Sequence, residues 1–502
     1  MRQLTSLDAQ FLAFETPRAF GHVGGLAVYD PRTAPGGTLT ANDIRTLIAE
    51  RIHMLPPFTR KLAQVPFGLD LPYWVDDPDF DLDFHVREIG LAPPGDDHQL
   101  ADQVARIVAR PLDRARPLWE IYLIRGLTGG RDALLTKIHH SAVDGVSGNE
   151  ILAILLDLSA EGRQVPPPLR EPGAGTVPSD LSLLGRGLLG LPRQAKRAVT
   201  AAPTAIRHID ALPWVSAIPG VRMARRAGNR LATLAPGPLG DDDLLEAPTG
   251  RPPRTRFSGP ISAHRRLAIG SLPLDTIKAI KNELGVTVND VVIALCASMM
   301  RAWLDQRGEL PDDPLVAMVP VSVRTREQMG EFGNRISAMF VAIPTDEPDA
   351  RRRIERTHEV LRAAKERHKA TPASLMQDAT QFVPPAVMSS ASRVTLAVLA
   401  RSPMPALNLV ISNVPGPREP LYCAGAEMIA YYPVSTIVDG VGLNITVLSY
   451  RDHMDVGIIG DRDQLEDAWS MLDGLRAALG EFHGLLSSEA AASAPAPELV
   501  SP

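Results

Sequence analysis

Hydrophobic and polar positions change period several times along the chain, and each change marks an element. "HVGGLAVYD" reads as a strand, whereas "TANDIRTLIAERIHML" and "QLADQVARIVARPL" carry apolar residues at i, i+3 and i+4 and predict helices, the first with a capping threonine. "LWEIYLIRGL" and "ALLTKIHH" flank the turn "TGGRD" and predict an antiparallel hairpin with Trp119, Ile121 and Leu123 on one face. The nearly all-apolar "SGNEILAILLDL" follows as a helix with Ser147 and Glu150 in capping-box spacing. The intervening "SAVDG" is therefore a strand-to-helix connection.

The pattern recurs further on. "TVNDVVIALCASMMRAWLDQRG" and "ARRRIERTHEVLRAAKERH" predict helices, "PLVAMVPVSVR", "NRISAMFVAIP", "ALNLVISNVPGP", "EMIAYYPVSTIV" and "LNITVLSY" predict strands, and "QLEDAWSMLDGLRAALGEFHGLL" predicts a closing helix. Between the two parts lie breakers such as "VPPPLREPGAG" and "APGPLGDDD". The expected organisation is an α/β domain over residues 1–162, a Pro/Gly/Arg-rich connector over 163–260, a second α/β domain over 261–486 and a disordered tail over 487–502. Within the connector, residues 180–230 carry nine Lys or Arg against Asp180 and Asp210, interleaved with "LSLLGRGLLGL" and Trp214. Two readings stand: a basic amphipathic segment lying on a lipid surface, or a crossover whose charges are simply solvated.

Composition narrows the function. A chain of 502 residues with 45% hydrophobic content can bury two cores, while a net charge of −6 and 5% aromatic residues disfavour a nucleic-acid partner. Cys296 and Cys423 form no C-x-x-C pair, so neither a disulfide framework nor a zinc knuckle is expected. The start "MRQLTSLDAQ" has no apolar h-region and no run of about 18 apolar residues occurs, so the expectation is a cytoplasmic protein whose membrane contact is peripheral.

The chemistry-bearing stretch is "KIHHSAVDGVSG". Adjacent strand residues point to opposite faces, so one histidine works and the other braces. His140, nearer the loop, is the candidate general base; a neutral imidazole can take a proton from a hydroxyl and return it to a leaving group. His139 is the brace, Asp144 holds the loop, and Gly145 permits a backbone angle or close approach that a side chain forbids. Metal binding is disfavoured because neighbouring strand histidines diverge and no third ligand stands at helical spacing. A seryl nucleophile is disfavoured because G-x-S-x-G fails at Asn149 and Ser141 cannot reach the imidazole beside it in triad geometry.

"HHSAVDG" carries the HHxxxDG signature of chloramphenicol-acetyltransferase-like acyltransferases. With "LDAQFLAFETP", "HVGGLAVYD", "PLDRARPLWE", "GVTVNDVVIA", "MVPVSVR", "FGNRIS" and "LVISNVPGP" in order, the chain from about Leu7 to Leu485 resembles the bacterial wax ester synthase/diacylglycerol acyltransferase family. The resemblance implies two acetyltransferase-like α/β domains of mixed sheets and helices packed together, with acyl-CoA and acceptor meeting at His140 in a channel between them. It also implies a structural Asp144 paired with an arginine such as Arg324, and Asn289 and Asp290 approaching the channel from the second domain. Thr287 and Asp290 read equally as a helix cap and a first-turn carboxylate. Trp119 is either a channel residue or a core anchor, and "NVPGP" either shapes the channel or only turns the chain.

The implied reaction is acyl transfer from acyl-CoA to diacylglycerol, giving triacylglycerol, without metal or cofactor. Fatty alcohols as acceptors, and a non-catalytic lipid-binding role, are the alternatives. The expected location is the inner membrane face or lipid droplets.

Overall fold

Two six-stranded sheets, one of them completed by strands from the far end of the chain, frame the protein. The computed structural model describes residues 1–142, 145–167, 177–190, 192, 252–322, 336–370, 400–402 and 405–492. The first half runs β1 (Arg2–Gln3), α1 (Ser6–Ala13), β2 (His22–Asp30), α2 (Ala41–Arg51), α3 (Pro56–Thr59), β3 (Arg60–Ala63), β4 (Tyr73–Asp76), α4 (Leu82–His85), β5 (Val86–Gly90), α5 (Asp97–Val108), β6 (Trp119–Leu127), β7 (Arg131–His139) and α6 (Gly145–Leu155). The second half runs β8 (Arg265–Pro273), α7 (Leu274–Glu283), α8 (Val288–Asp305), β9 (Leu315–Ser322), β10 (Ile336–Ile343), α9 (Ala350–Ala370), β11 (Leu409–Val414), β12 (Tyr422–Cys423), β13 (Ala426–Val434), β14 (Leu443–Tyr450), β15 (His453–Asp461) and α10 (Trp469–Ala492).

The first large sheet has the order β12-β13-β2-β7-β6-β5 and the second β10-β9-β11-β14-β15-β8, with a small β1-β4-β3 sheet beside them. Strand alternation divides the interior. On β6, Trp119, Ile121 and Leu123 join the core beneath α2 and α6, while Tyr122 and Ile124 face α5. That second core is shared between the halves: Leu100, Val104 and Leu135 pack with Ile261, Ile269, Val434 and Ile459. A third large core is built around α8, buried on nearly every side. Among the described residues no single helix is long and apolar enough to cross a membrane.

Local capping explains where helices start. Thr5, Thr40 and Thr287 each accept the N3 amide while the Asp at N3 accepts the cap amide.

Several expectations need correction. β13, from the stretch assigned to the second domain, pairs antiparallel with β2, Val434 opposite Gly24, so the division in sequence is not the division between sheets. The core around α8 also starts before residue 261, since Phe257 is fully buried in it. α6 begins at Gly145, which puts Ser147 inside the first turn rather than at the cap. α10 continues through Ala492 into the stretch expected to be disordered, because "SSEAAA" is rich in the best helix former and simply extends the turn before it. Within the connector, residues 180–190 are helical and Leu183 is buried against Ala63 and Val75; the rest of the basic segment, 193–230, lies outside the described residues.

Candidate active site

The hairpin β6–β7 delivers the two histidines to the seam between the halves. His139 closes β7, paired with His22 of β2, and its own amide donates to the Leu118 carbonyl. His140 stands in the turn beyond the strand end. Its amide donates to the Gly21 carbonyl at 2.7 Å. One residue earlier, the Phe20 carbonyl accepts the Thr436 hydroxyl at 2.7 Å, which ties this corner to the second half of the chain.

The two side chains have opposite surroundings. His139 is 2% exposed. Its Nδ1 accepts the Ser141 amide at 3.0 Å, with the Ser141 hydroxyl at 2.7 Å. Because Nδ1 is an acceptor, Nε2 carries the hydrogen and donates it to Glu15 Oε1 at 3.1 Å. Both ring nitrogens are thus engaged. His140 is only half-buried and its ring lies flat on Phe11 of α1, centroids 4.1 Å apart and planes 1° from parallel. A brace behind and a stacked imidazole in front is an arrangement suited to one proton-transfer group.

Glu15 organises the brace. Its carboxylate accepts from His139, from Arg114 Nη2 at 2.5 Å and from the Gly21 amide at 2.8 Å. Burial alone would raise this carboxyl, but His139, Arg114 and the Gly21 amide together hold it at about 2. Gly21 has no room for a side chain: a Cβ would stand 2.9 Å from the Phe11 carbonyl oxygen and 3.0 Å from His139 Nε2.

A polar layer lies beneath. Lys137, fully buried, donates to the carbonyls of Ile107 and Arg110 at the end of α5, and burial pushes its ammonium down to about 8. His22 donates Nε2–H to the Val108 carbonyl, and burial, reinforced by the charge of Lys137, drives its pKa well below the ordinary value. It is therefore a neutral, structural imidazole.

The remaining expected residues separate. Asp144 and Arg324 lie outside the described residues, and Gly145 opens α6. Trp119 is a core anchor rather than a channel wall: it is 1% exposed, stacks on Phe58 and His85 and donates its indole N–H to the Phe58 carbonyl. Asp290 turns inward, 1% exposed, capping α8 and accepting from His358 at 2.7 Å. Asn289, beside it, lines a cavity of about 370 Å³ between the start of α8 and the Pro415–Arg418 turn, with Asn413 donating to it at 3.3 Å. Phe11, Glu15 and Arg114 were not singled out by the pattern of the chain, and Ser141 was considered only as a nucleophile, not as a support for His139. The first three sit in the quoted blocks "LDAQFLAFETP" and "PLDRARPLWE", but nothing local pairs residues about a hundred or more positions apart.

Comparison with known proteins converges on one family. Residues 4–292 match the wax ester synthase/diacylglycerol acyltransferase catalytic domain, and residues 332–483 match the corresponding C-terminal domain. The chain is 33% identical to the O-acyltransferase WSD of Acinetobacter baylyi over 97% of its own length and 98% of that protein. It is 35% identical, over 96% of this chain and 90% of the other, to a Mycobacterium tuberculosis protein named provisionally as a diacylglycerol O-acyltransferase. The solved wax ester synthase/diacylglycerol acyltransferase of Marinobacter aquaeolei superposes with a TM-score of 0.66 at 28% identity, covering 97% of this chain and all of that one. A condensation domain of the calcium-dependent antibiotic synthetase, 16% identical with a TM-score of 0.53, covers 97% of this chain and 96% of its own and shares the fold.

Proposed function

The chain belongs to the wax ester synthase/diacylglycerol acyltransferase family as an O-acyltransferase, and on that premise we propose that it transfers a long-chain acyl group from acyl-CoA to the hydroxyl of diacylglycerol, with His140 as general base. The observation that carries this is the place of His140: it stands just past the end of β7, half-buried with its ring flat on Phe11, while the neighbouring His139 is the buried brace held by Ser141 and Glu15.

His140 takes the hydroxyl proton as the oxygen attacks the thioester carbonyl. The imidazolium then returns that proton to the departing thiolate, and no bond forms between acyl group and protein. A thiol of pKa about 8.5 leaves readily, so the main tasks are activating the alcohol and holding two lipids together. Asp144 and Gly145 shape the loop, and Arg324 is the proposed partner of Asp144.

The proposed location is a lipid surface on the cytoplasmic side. Its support is a patch on which Leu181 and Leu189 are 78% and 80% exposed and Leu188 is 52% exposed. The same helix packs its Gly187 against Val65 and Leu69, the loop that holds Phe67 83% exposed. Four exposed large apolar side chains on one helix and the loop packed beside it fit a peripheral contact with lipid.

The family name also covers fatty alcohols as acceptors, so the deciding assay offers the purified protein palmitoyl-CoA with diacylglycerol or hexadecanol and separates products by thin-layer chromatography. Triacylglycerol as the main product is expected; wax ester alone would reverse the acceptor assignment. His140→Ala is expected to lose about 10² to 10⁴ in rate with the fold intact. A stable acyl-protein formed in acyl-CoA alone would exclude direct transfer.

A further inference from the structure

We propose that the cavity between α7–α8 and the Pro415–Arg418 turn receives the phosphorylated end of the acyl donor, a nucleoside bisphosphate, with Lys278, Arg418 and Arg451 as its cationic rim. This rests on the reading that the donor is acyl-CoA.

The cavity holds about 370 Å³, and its lining includes those three cations and no Asp or Glu. In a chain of net charge −6 that is a local inversion of sign. The existing partners are weak competitors: Lys278 meets the exposed Asp275 at 3.4 Å, and Arg451 meets Glu427 from a side chain that is 40% exposed. Arg418 has no carboxylate partner among the described residues. Neutral donors line the inner wall, Asn289 and Asn413 joined at 3.3 Å. Phosphate is an acceptor-only group, so a wall of amides and a cationic rim, with no carboxylate in the lining itself, suits it.

Arg451 adds an independent sign. It occupies the β14–β15 turn with φ +52°, a backbone region that favours glycine or asparagine. An arginine there keeps a guanidinium on the cavity rim at the expense of backbone comfort.

A strand runs from the cavity toward the chemistry. Ser449 lines the cavity. Five residues back on β14, Asn444 donates to the Thr436 carbonyl; Thr436 in turn donates to Phe20, next to the Gly21 carbonyl that accepts from His140. Five strand residues span about 17 Å. A phosphate anchored at one end of β14 thus leaves an extended pantetheine arm to carry the thioester to the other.

The test is the double variant Arg418→Gln/Arg451→Gly, in which glycine suits the turn while the charge is lost; an unchanged melting temperature certifies the fold. The ratio of KM for palmitoyl-CoA to KM for palmitoyl-pantetheine, which lacks the nucleotide phosphates, is expected to rise about tenfold relative to wild type. An unchanged ratio overturns the proposal. Adenosine 3′,5′-bisphosphate binding by calorimetry keeps the two readings separate. If wild type transfers from neither thioester, the acyl-CoA reading fails, and the cavity still stands or falls on whether the double variant weakens bisphosphate binding about tenfold. Equal binding by both proteins, or equal competition from inorganic phosphate at the same concentration, overturns the assignment.

Discussion

Glu15 and His139 lie 124 residues apart in sequence and 3.1 Å apart in space. The carboxylate fixes which nitrogen of the brace carries hydrogen, and it does so from the loop between α1 and β2. The same loop supplies the Gly21 carbonyl that holds the His140 backbone. One ion-paired carboxylate thereby sets the position of both histidines.

That relationship makes stability acid-sensitive. Glu15 titrates at about 2 in the folded chain against an ordinary 4.5. A depressed carboxyl stabilises fully above its unfolded value, and the contribution disappears as pH falls from about 4.5 to about 2. Two and a half units correspond to at most about 3 kcal/mol. Glu15→Gln is expected to lose roughly that much at pH 7 and to flatten stability between pH 4.5 and 2. Urea unfolding at pH 7, 4 and 3 measures both, and a variant as acid-sensitive as wild type would contradict the account.

A second buried charge secures the helix that follows the motif. Arg51 and Asp157, 2% and 4% exposed, pair at 2.7 Å, and Arg51 also donates to the Leu155 carbonyl at 2.7 Å, at the end of α6. Removing one partner strands the other charge without water. Asp157→Ala is therefore expected to cost about 3–5 kcal/mol in chemical denaturation. The double variant Arg51→Met/Asp157→Leu should recover part of that loss, because no charge is then left unpaired.

Much of this was legible locally, and what was not depended on distant pairing. The hairpin carrying His139 and His140 could be read because alternation and turn residues are neighbours in sequence. Thr40 and Thr287 announced their helices for the same reason. The choice of β2 as the partner of β13 leaves no local trace, since strand alternation says that a face is buried and not against what. Glu15 looked like any loop carboxylate until the fold brought Arg114 and His139 to it. Trp119 showed its alternative roles in sequence, and only packing against Phe58 and His85 decided for the core.

Asp290 is the clearest case of a motif residue with a structural role. Its carboxylate accepts the Thr287 amide at 2.8 Å and His358 at 2.7 Å. Asp290→Ala removes the return half of the capping box and is expected to cost about 1–2 kcal/mol. Asp290→Asn, which keeps one acceptor oxygen, should recover about half. Thermal denaturation ranks the three proteins, and a catalytic group would instead show lost turnover in both variants at unchanged stability.

The two large sheets approach closely at Gly457 of β15, where an added Cβ would stand 1.8 Å from the Pro433 carbonyl oxygen of β13. The obstacle is backbone, so no rotamer change relieves it and the strands must move apart. Gly457→Ala is expected to cost about 3 kcal/mol or to abolish soluble folding, at the upper end for overpacking. Gly480 and Gly484 form the counterpart. Both lie inside α10 with no heavy atom within 4 Å of an added Cβ. Alanine there should stabilise by up to about 1 kcal/mol each, because it removes glycine's backbone entropy without meeting a neighbour. Denaturation midpoints of the single variants test the contrast. Equal effects at positions 457 and 484 would mean that the sheets do not meet so closely.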